Sequence, residues 1–202
     1  MSTLQQYRLA LQIFQANRLR RDYNDLALMP QYESVGEFFF TEMYGPRDFS
    51  RRDEQARRMQ QFLHIVPGVR WNDIEQVLDL LDLTYRLDEH LAQLMVAAKT
   101  GTDFDEATYE HWYRSADNYK QRRHQLELIN SSLYNVYRLS RSQLLGIALH
   151  RSGLIARLAG IEAVHSFLRK GYDAVRSVEN IDFFAVTIYN RELARLDRIF
   201  EQ

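Results

Sequence analysis

The sequence predicts an all-α protein, a single helical bundle of about seven or eight helices spanning residues 1–202. The 202 residues include only 8 glycines and 3 prolines, too few for a fold built on many turns. Strict alternation of apolar and polar residues, which marks half-buried strands, is absent, whereas apolar residues recur at helical spacing. A chain of this length buries roughly 70% of the surface that its unfolded form exposes, so one domain can form a core unaided.

Composition excludes several function classes. Without cysteine there is no disulfide, iron–sulfur cluster, thiolate zinc site or cysteine nucleophile. A formal charge of −1 gives no overall attraction to nucleic acid or to an anionic membrane. The first residues lack the basic start and apolar block of a secretion signal, and no run approaches the roughly 18 apolar residues of a spanning helix. We therefore predict a cytoplasmic protein whose partners include neither a membrane nor nucleic acid.

The prolines place the shortest helices in the first third of the chain. Pro30, Pro46 and Pro67 are the only ones in the sequence. A first helix is expected over residues 4–28, where apolar residues follow helical spacing, and Pro30 ends it.

Two further helices are expected before residue 67. The second begins after Ser34, whose hydroxyl is placed to accept from the backbone N–H of Glu37, and it ends at Gly45–Pro46. The third begins at Ser50 and ends before Pro67.

Longer helices follow. One is expected from Asn72 until Gly101. Residues 103–138 contain neither glycine nor proline, but a single helix there would span about 50 Å, so we expect a break near residues 130–132. One or two helices then cover residues 141–178, and a last helix covers residues 181–200.

The densest cluster of signals lies at residues 38–53, FFFTEMYGPRDFSRRD. This segment resembles the signature of the FFLEELY-motif proteins, an uncharacterised bacterial group. The matching positions are Phe38, Phe39, Glu42, Tyr44, Gly45, Pro46, Asp48, Phe49, Arg52 and Asp53. The sequence departs from the signature at Phe40, Thr41 and Met43. The resemblance implies a bacterial protein and implies no activity.

Two interpretations of this segment remain open. In the first it is a structural corner, in which Asp48 or Ser50 caps the following helix and an ion pair such as Glu42 with Arg52 locks the bend. In the second it is a polar pocket, in which an arginine binds an anion and Tyr44 or Glu42 transfers a proton. The weak candidates for ligand binding are Glu42, Tyr44, Asp48, Arg51, Arg52 and His150.

His150 is a candidate because it lies between Gly146 and Gly153. Glycines that let a flat macrocycle approach a helix, beside an imidazole that ligates iron, are typical of a tetrapyrrole site. The simpler interpretation is that these glycines end helices or relieve crowding where helices cross. We predict no bound cofactor, and we leave open whether the protein is an enzyme.

Metal and nucleic-acid sites find little support. A di-iron bundle needs two Glu-x-x-His motifs, and the sequence has one, Glu162 to His165, so we predict no metal. Tyrosines and arginines interleave over residues 109–138 and are able to stack on bases and pair with phosphates. However, Tyr109 and Tyr113 are spaced like a buried helix stripe.

Charge is unevenly distributed along the chain. Residues 71–110 carry ten acidic against two basic residues, a net charge of −8, and residues 111–161 carry eight basic against two acidic residues, a net charge of +6. One interpretation is that neighbouring antiparallel helices attract each other. The other is a basic surface for an anionic ligand.

Our leading hypothesis is therefore a non-enzymatic binding or interaction module. We expect a homodimer through an apolar helix face, such as the one that contains Phe183, Phe184, Ile188 and Leu196. A protein partner of another kind is not identified by the sequence. The alternative is a protein or enzyme that binds a small molecule, an anion or a tetrapyrrole, in a pocket near residues 38–53.

Overall fold

A computed structural model describes residues 2–43, 51–52, 54–56 and 71–201, and every regular element within them is helical. The all-α prediction is confirmed. The α-helices of these residues are α1 Thr3–Asp22, α2 Asn24–Ala27, α3 Glu33–Phe38, α4 Trp71–Ala97, α5 Glu106–Ser115, α6 Tyr119–Ser140, α7 Gln143–Arg151, α8 Gly153–Leu158, α9 Glu162–Arg176 and α10 Asp182–Glu201. A π-helical turn, Phe39–Met43, continues α3. Seven or eight helices was therefore too low a count.

The N-terminal part of the chain is more interrupted than its sequence predicts. A capping box begins α1, in which Gln5 donates its N–H to the Ser2 hydroxyl and receives the Ser2 N–H on its side-chain oxygen. The expected continuous helix over residues 4–28 ends at Tyr23, whose φ of −120° lies outside the helical range, and α2 follows. The predicted cap at Ser34 is wrong, because α3 already begins at Glu33.

The break expected near residues 130–132 is also wrong. Helix α6 runs through these residues, and it packs against α4, α9 and α10. The interruption lies earlier, at Asp117, whose φ of +47° is left-handed and reverses the chain between α5 and α6. Aspartate adopts this conformation more readily than most residues, and Ser115 and Asn118 beside it are also common in turns.

Residues 141–178 form three helices rather than one or two. The Ser142 hydroxyl accepts from Leu145 N at 3.3 Å and so caps α7. Gly160, with φ of +69°, ends α8 in the conformation that glycine supplies most easily. The cap of α9 comes from a distant segment, since Gln55 Oε1 accepts from Ala163 N at 2.7 Å and from Val164 N at 3.2 Å.

The predicted self-association face is wrong, because α10 buries it inside the protein. Phe184, Ile188 and Leu196 are only 2–3% exposed and belong to the main apolar cluster. Phe183 remains 54% exposed beside Val186. The sequence pattern correctly marks an apolar stripe, but that stripe covers the protein's own core. None of the described helices is long and apolar enough to cross a membrane.

Candidate functional site

Three of the predicted candidates at residues 38–53 can be placed. Glu42 lies in the π-helical turn, Arg52 is buried and Arg51 is exposed. Tyr44 and Asp48 lie outside the described residues. The structure thus fixes two sides of the predicted corner, the turn that leads into it and the start of the segment that leaves it.

Glu42 and Arg52 meet, and α9 completes their cluster. Arg52 Nη1 donates to the backbone carbonyl of Glu42, and its guanidinium lies 4.9 Å from the ring centre of Phe167 on α9. The Glu42 carboxylate accepts from Lys170 Nζ at 2.7 Å. Glu42 and Arg52 therefore meet through the main-chain carbonyl of Glu42, and the predicted ion pair between their side chains stays a prediction. These contacts join the π-helical turn and Arg52 to α9.

His150 occupies a different element, although it reaches the same helix. Its Nδ1 lies 2.8 Å from the carbonyl of Gly146, and its Nε2 lies 3.4 Å from Asp173 on α9. Asp173 is three residues beyond Lys170, so Glu42 and His150 contact neighbouring turns of one helix.

The space at Gly146 is filled by Tyr172. A β-carbon at Gly146 would stand 2.4 Å from the Tyr172 hydroxyl oxygen. In addition, α7 ends before Gly153, so the glycines do not share one continuous helix face. Tyr172 therefore fills the space beside Gly146, whereas the His150 side chain is about half exposed.

The single Glu-x-x-His motif does not form a metal site. Glu162 pairs with Arg157 at 3.5 Å, and His165 Nε2 lies 3.0 Å from the Ser152 hydroxyl. Among the residues that the structure describes, no three histidine or acidic side chains are grouped as metal ligands.

A buried polar cluster in the middle of the bundle was not predicted. We call it the polar interior, and it consists of Gln15, Arg18, Asp88, Tyr109, Arg122, Gln125 and Glu192. Its tightest contact joins α1 to α10, where Arg18 donates to both carboxylate oxygens of Glu192, at 2.6 and 3.0 Å. Tyr23 adds its hydroxyl to the same carboxylate at 2.7 Å.

The other half of the polar interior is looser. Asp88 accepts from Gln15 at 3.3 Å and from Arg122 at 3.5 Å, and Arg122 lies 4.4 Å from the ring centre of Tyr113. A cavity of about 40 Å³ adjoins these groups, enough for a few water molecules.

The electrostatics of the polar interior are those of a structural network. Although burial favours a neutral guanidine, the facing Glu192 carboxylate raises the pKa of Arg18, which stays charged. Burial also raises the pKa of Tyr109, moving it away from the range useful for proton transfer at neutral pH. Two arginines face two carboxylates, so the cluster is charge-balanced.

The outer side of α7 and α8 is a second feature that sequence reasoning missed. We call it the α7–α8 face, and it consists of Leu144, Ile147, Leu154, Ile155 and Leu158, which are 81, 51, 67, 68 and 81% exposed. The inner side of the same helices packs on α9, through Gly146 and the 3% exposed Ala156. Five large aliphatic side chains this exposed on two consecutive helices are uncommon on a monomer.

Comparison with known proteins gives a family. The model of a family described as a domain of unknown function (DUF8198) matches residues 1–202. The chain belongs to this family. Neither the curated proteins nor the solved structures contain a match to it. Membership of the DUF8198 family thus covers the whole sequence, the corner and the α7–α8 face included, and assigns no activity to either.

A sequence signal for the missed features exists. The polar interior places Gln15 and Arg18 three residues apart on α1, and Arg122 and Gln125 three apart on α6. Polar residues at this spacing on the buried side of a helix indicate internal pairing. For the α7–α8 face the signal is weaker, since an exposed aliphatic stripe and a buried one have the same spacing.

Proposed function

We propose that this protein is a non-enzymatic interaction module that forms a homodimer through the α7–α8 face. The observation that carries the proposal is the exposure of five large aliphatic side chains on two adjacent helices. Burying them against a second copy removes apolar surface from water, which is the main favourable contribution in most protein associations.

The size of the face fits one interface. Together the five side chains expose on the order of 600 Å², the upper end of the largest apolar patches found on monomers. A standard interface buries about 800 Å² on each partner, and its rim is polar. The α7–α8 face and the residues around it supply that area.

Charges around the face favour a second copy as the occupant. Arg157 lies 3.5 Å from Glu162, and His150 lies 3.4 Å from Asp173, so basic and acidic side chains occur together on this surface. In a twofold dimer the same patch of each copy faces the other, and a rim with both signs is complementary to itself. A rim of one sign would repel its own copy.

Hydrogen bonds and packing contacts hold the inner side of α7 and α8 against α9. The Tyr172 hydroxyl donates to the Ser142 carbonyl at 2.8 Å, and its ring fills the space beside Gly146. Ser152 and His165 join α8 to α9 at 3.0 Å. Because α7 and α8 are anchored from within, docking of a second copy does not first require these helices to be ordered.

Sedimentation velocity on the whole chain tests the proposal. The variant carries Leu154→Glu and Leu158→Glu, and its matched control is Leu28→Glu, since Leu28 is 73% exposed on a different part of the protein. We expect a wild-type dimer, a dimeric control, and a double variant whose dimer dissociation constant rises by about a hundredfold or more. Circular dichroism should give the same helix content for all three proteins.

Two results would contradict the proposal. One is a wild-type monomer at about 100 µM, a concentration at which even a weak specific dimer forms. The other is a double variant that dimerises as strongly as the control. The alternative of an anion or tetrapyrrole pocket near residues 38–53, the cytoplasmic location and the resemblance to the FFLEELY-motif proteins stay predictions.

A further inference from the structure

An open groove of about 670 Å³ runs along α1, beside the connection between α4 and α5. It is lined by one side of α1, from Gln6 to Asn17, and by residues 102–104 of the connection. It shares no lining residue with the α7–α8 face or with the polar interior. Sites for small molecules commonly measure about 300–1,000 Å³, so the groove has the size of a ligand site.

The wall of the groove is largely apolar. Leu9 and Ile13 lie one turn apart on α1, and Ile13 remains 39% exposed. Phe104 comes from the connection, and its ring centre lies 5.3 Å from that of Phe14. The Phe14 ring in turn lies 4.7 Å from that of the buried Tyr109. These packed rings hold Phe14 and Phe104 in place, so they present a fixed surface to the apolar part of a ligand.

The connection between α4 and α5 is held against α1. Lys99 and Gly101 have φ values of +54° and +91°, both left-handed, so the chain turns sharply after α4. The Gly101 N–H donates to the Tyr7 hydroxyl of α1 at 2.9 Å. At the other end Asp105 caps α5 by accepting from Thr108 N at 2.8 Å. Because both ends of the connection are fixed, the groove exists before a ligand binds, and little ordering opposes binding.

Three exposed polar side chains line the groove, those of Gln6, Asn17 and Asp103. None of them has a hydrogen-bond or ion-pair partner within the described part of the chain. Among the described residues that line the groove, Asp103 alone is charged. A carboxylate that no cation neutralises attracts a positively charged ligand and repels an anion.

We infer that this groove binds a small organic amine, whose ammonium group pairs with Asp103 and whose apolar body lies on Ile13 and Phe104. An alkylamine is protonated at neutral pH, as the lysine side chain is. An aromatic ring on the amine suits the two phenylalanines of the wall, since aromatic rings pack favourably on one another. The inference does not depend on the dimer, because the groove and the α7–α8 face use different residues.

The test uses two probes of the same shape on the whole protein, 2-phenylethylamine and 2-phenylethanol, which differ in one ammonium or hydroxyl group. Titrations followed by amide and methyl NMR should give saturable shifts concentrated on Ile13, Thr102 and Phe104. At low salt we expect the amine to bind about three- to fivefold more tightly than the alcohol. Added salt should narrow this difference, because it screens an exposed ion pair.

The decisive variant is Asp103→Asn, which should weaken amine binding to the level of the alcohol and leave alcohol binding unchanged. Its matched control is Glu127→Gln, which removes an exposed acidic group of α6 outside the groove and should keep the preference for the amine. Ile13→Ser should weaken both probes together, because it removes apolar surface that both use. Circular dichroism should give the same helix content for all the variants.

Several results would overturn the inference. Equal binding of the two probes by the wild type would mean that the groove does not select a cation. A preference for the amine that survives in Asp103→Asn, or that disappears in Glu127→Gln as well, would mean that Asp103 does not bind the ammonium group. Shifts that do not saturate, or that lie away from α1 and residues 102–104, would show that the groove is not the site.

Discussion

The end of the bundle where α10 meets α1 and α5 differs sharply from the outer side of α7 and α8. At the first, arginines of α10 pair within the chain: Arg191 with Asp25 at 2.6 Å, Arg195 with Glu106 at 2.8 Å and Arg198 with Glu110 at 2.6 Å. At the second, large aliphatic side chains are 51–81% exposed. One region is held by ion pairs within the chain, and the other presents apolar surface to solvent.

The two regions differ in how much they contribute to the stability of the monomer. The pair of Arg191 and Asp25 is exposed on both sides, and exposed pairs contribute little to stability one by one. The pairs that Arg195 and Arg198 form with Glu110 are partly buried, because the Glu110 side chain is only 13% exposed. The buried pair of Arg18 and Glu192 is different, because each charge there depends on the other. The side chains of the α7–α8 face leave most of their apolar surface exposed.

The largest effect should come from breaking the buried pair. Glu192→Ala leaves Arg18 charged and only 8% exposed, and it removes the acceptor of the Tyr23 hydroxyl. We expect a loss of about 3 kcal/mol in the free energy of unfolding, measured by urea denaturation. The double variant Arg18→Met, Glu192→Leu should recover most of that loss, and a failure to recover would mean that the carboxylate acts through other contacts.

A smaller effect is expected where α7 rests on α9. Gly146→Val places a side chain where the Tyr172 hydroxyl stands, so Tyr172 must move and its bond to Ser142 breaks. We expect about 2 kcal/mol of destabilisation, together with a weaker dimer. Gly153→Ala is the matched control, because its new β-carbon meets nothing closer than His165 at 3.9 Å. Equal urea midpoints for the two variants would contradict this account of the packing.

Acid should weaken the contacts between α5 and α10 before it affects α7 and α8. The hydrogen bond from Arg195 lowers the pKa of Glu106 below its usual 4.5. A lowered pKa in the folded protein means that the contact stabilises the fold above pH 4.5 and is lost as the pH falls through the lower folded value. Hydrogen-exchange protection factors, which correct for the slower intrinsic exchange in acid, should therefore fall first in α5 and α10 as the pH drops from neutral to roughly 3. In Glu106→Gln this part of the pH dependence should disappear.

The smallest effect belongs to an exposed pair. Asp25→Asn removes the partner of Arg191, and both side chains are about half exposed. We expect a change below about 0.5 kcal/mol in the free energy of unfolding, by the same urea measurement. A loss comparable with that of Glu192→Ala would show that the pairs of α10 act as one network.

Much of the fold could be predicted from local signals, and the errors have local causes. Pro30 and Gly101 mark helix boundaries that the structure respects approximately. The reversal at Asp117 was missed because a left-handed aspartate has no sequence signature like that of glycine. Ser131 does not break α6, because its hydroxyl bonds back to a carbonyl of the same helix.

The candidate site could be predicted only in part. Arg52 does contact Glu42, but through the Glu42 carbonyl, whereas the sequence predicted an ion pair between the two side chains. Lys170 could not be predicted beside them, since more than a hundred residues separate it from Glu42. An exposed apolar face was expected on α10, where the stripe is buried, because periodicity identifies an apolar stripe and not the direction it faces.

The N-terminus of α9 is capped by Gln55, so two amide protons of α9 report whether residues 54–56 stay against the helix. The N–H groups of Ala163 and Val164 are protected from exchange only while Gln55 stands over the start of the helix. Their exchange rates therefore measure how often residues 54–56 leave α9, without any label at residue 55 itself. The exchange rates of these two amides can be followed while the outer face of α7 and α8 is bound or free.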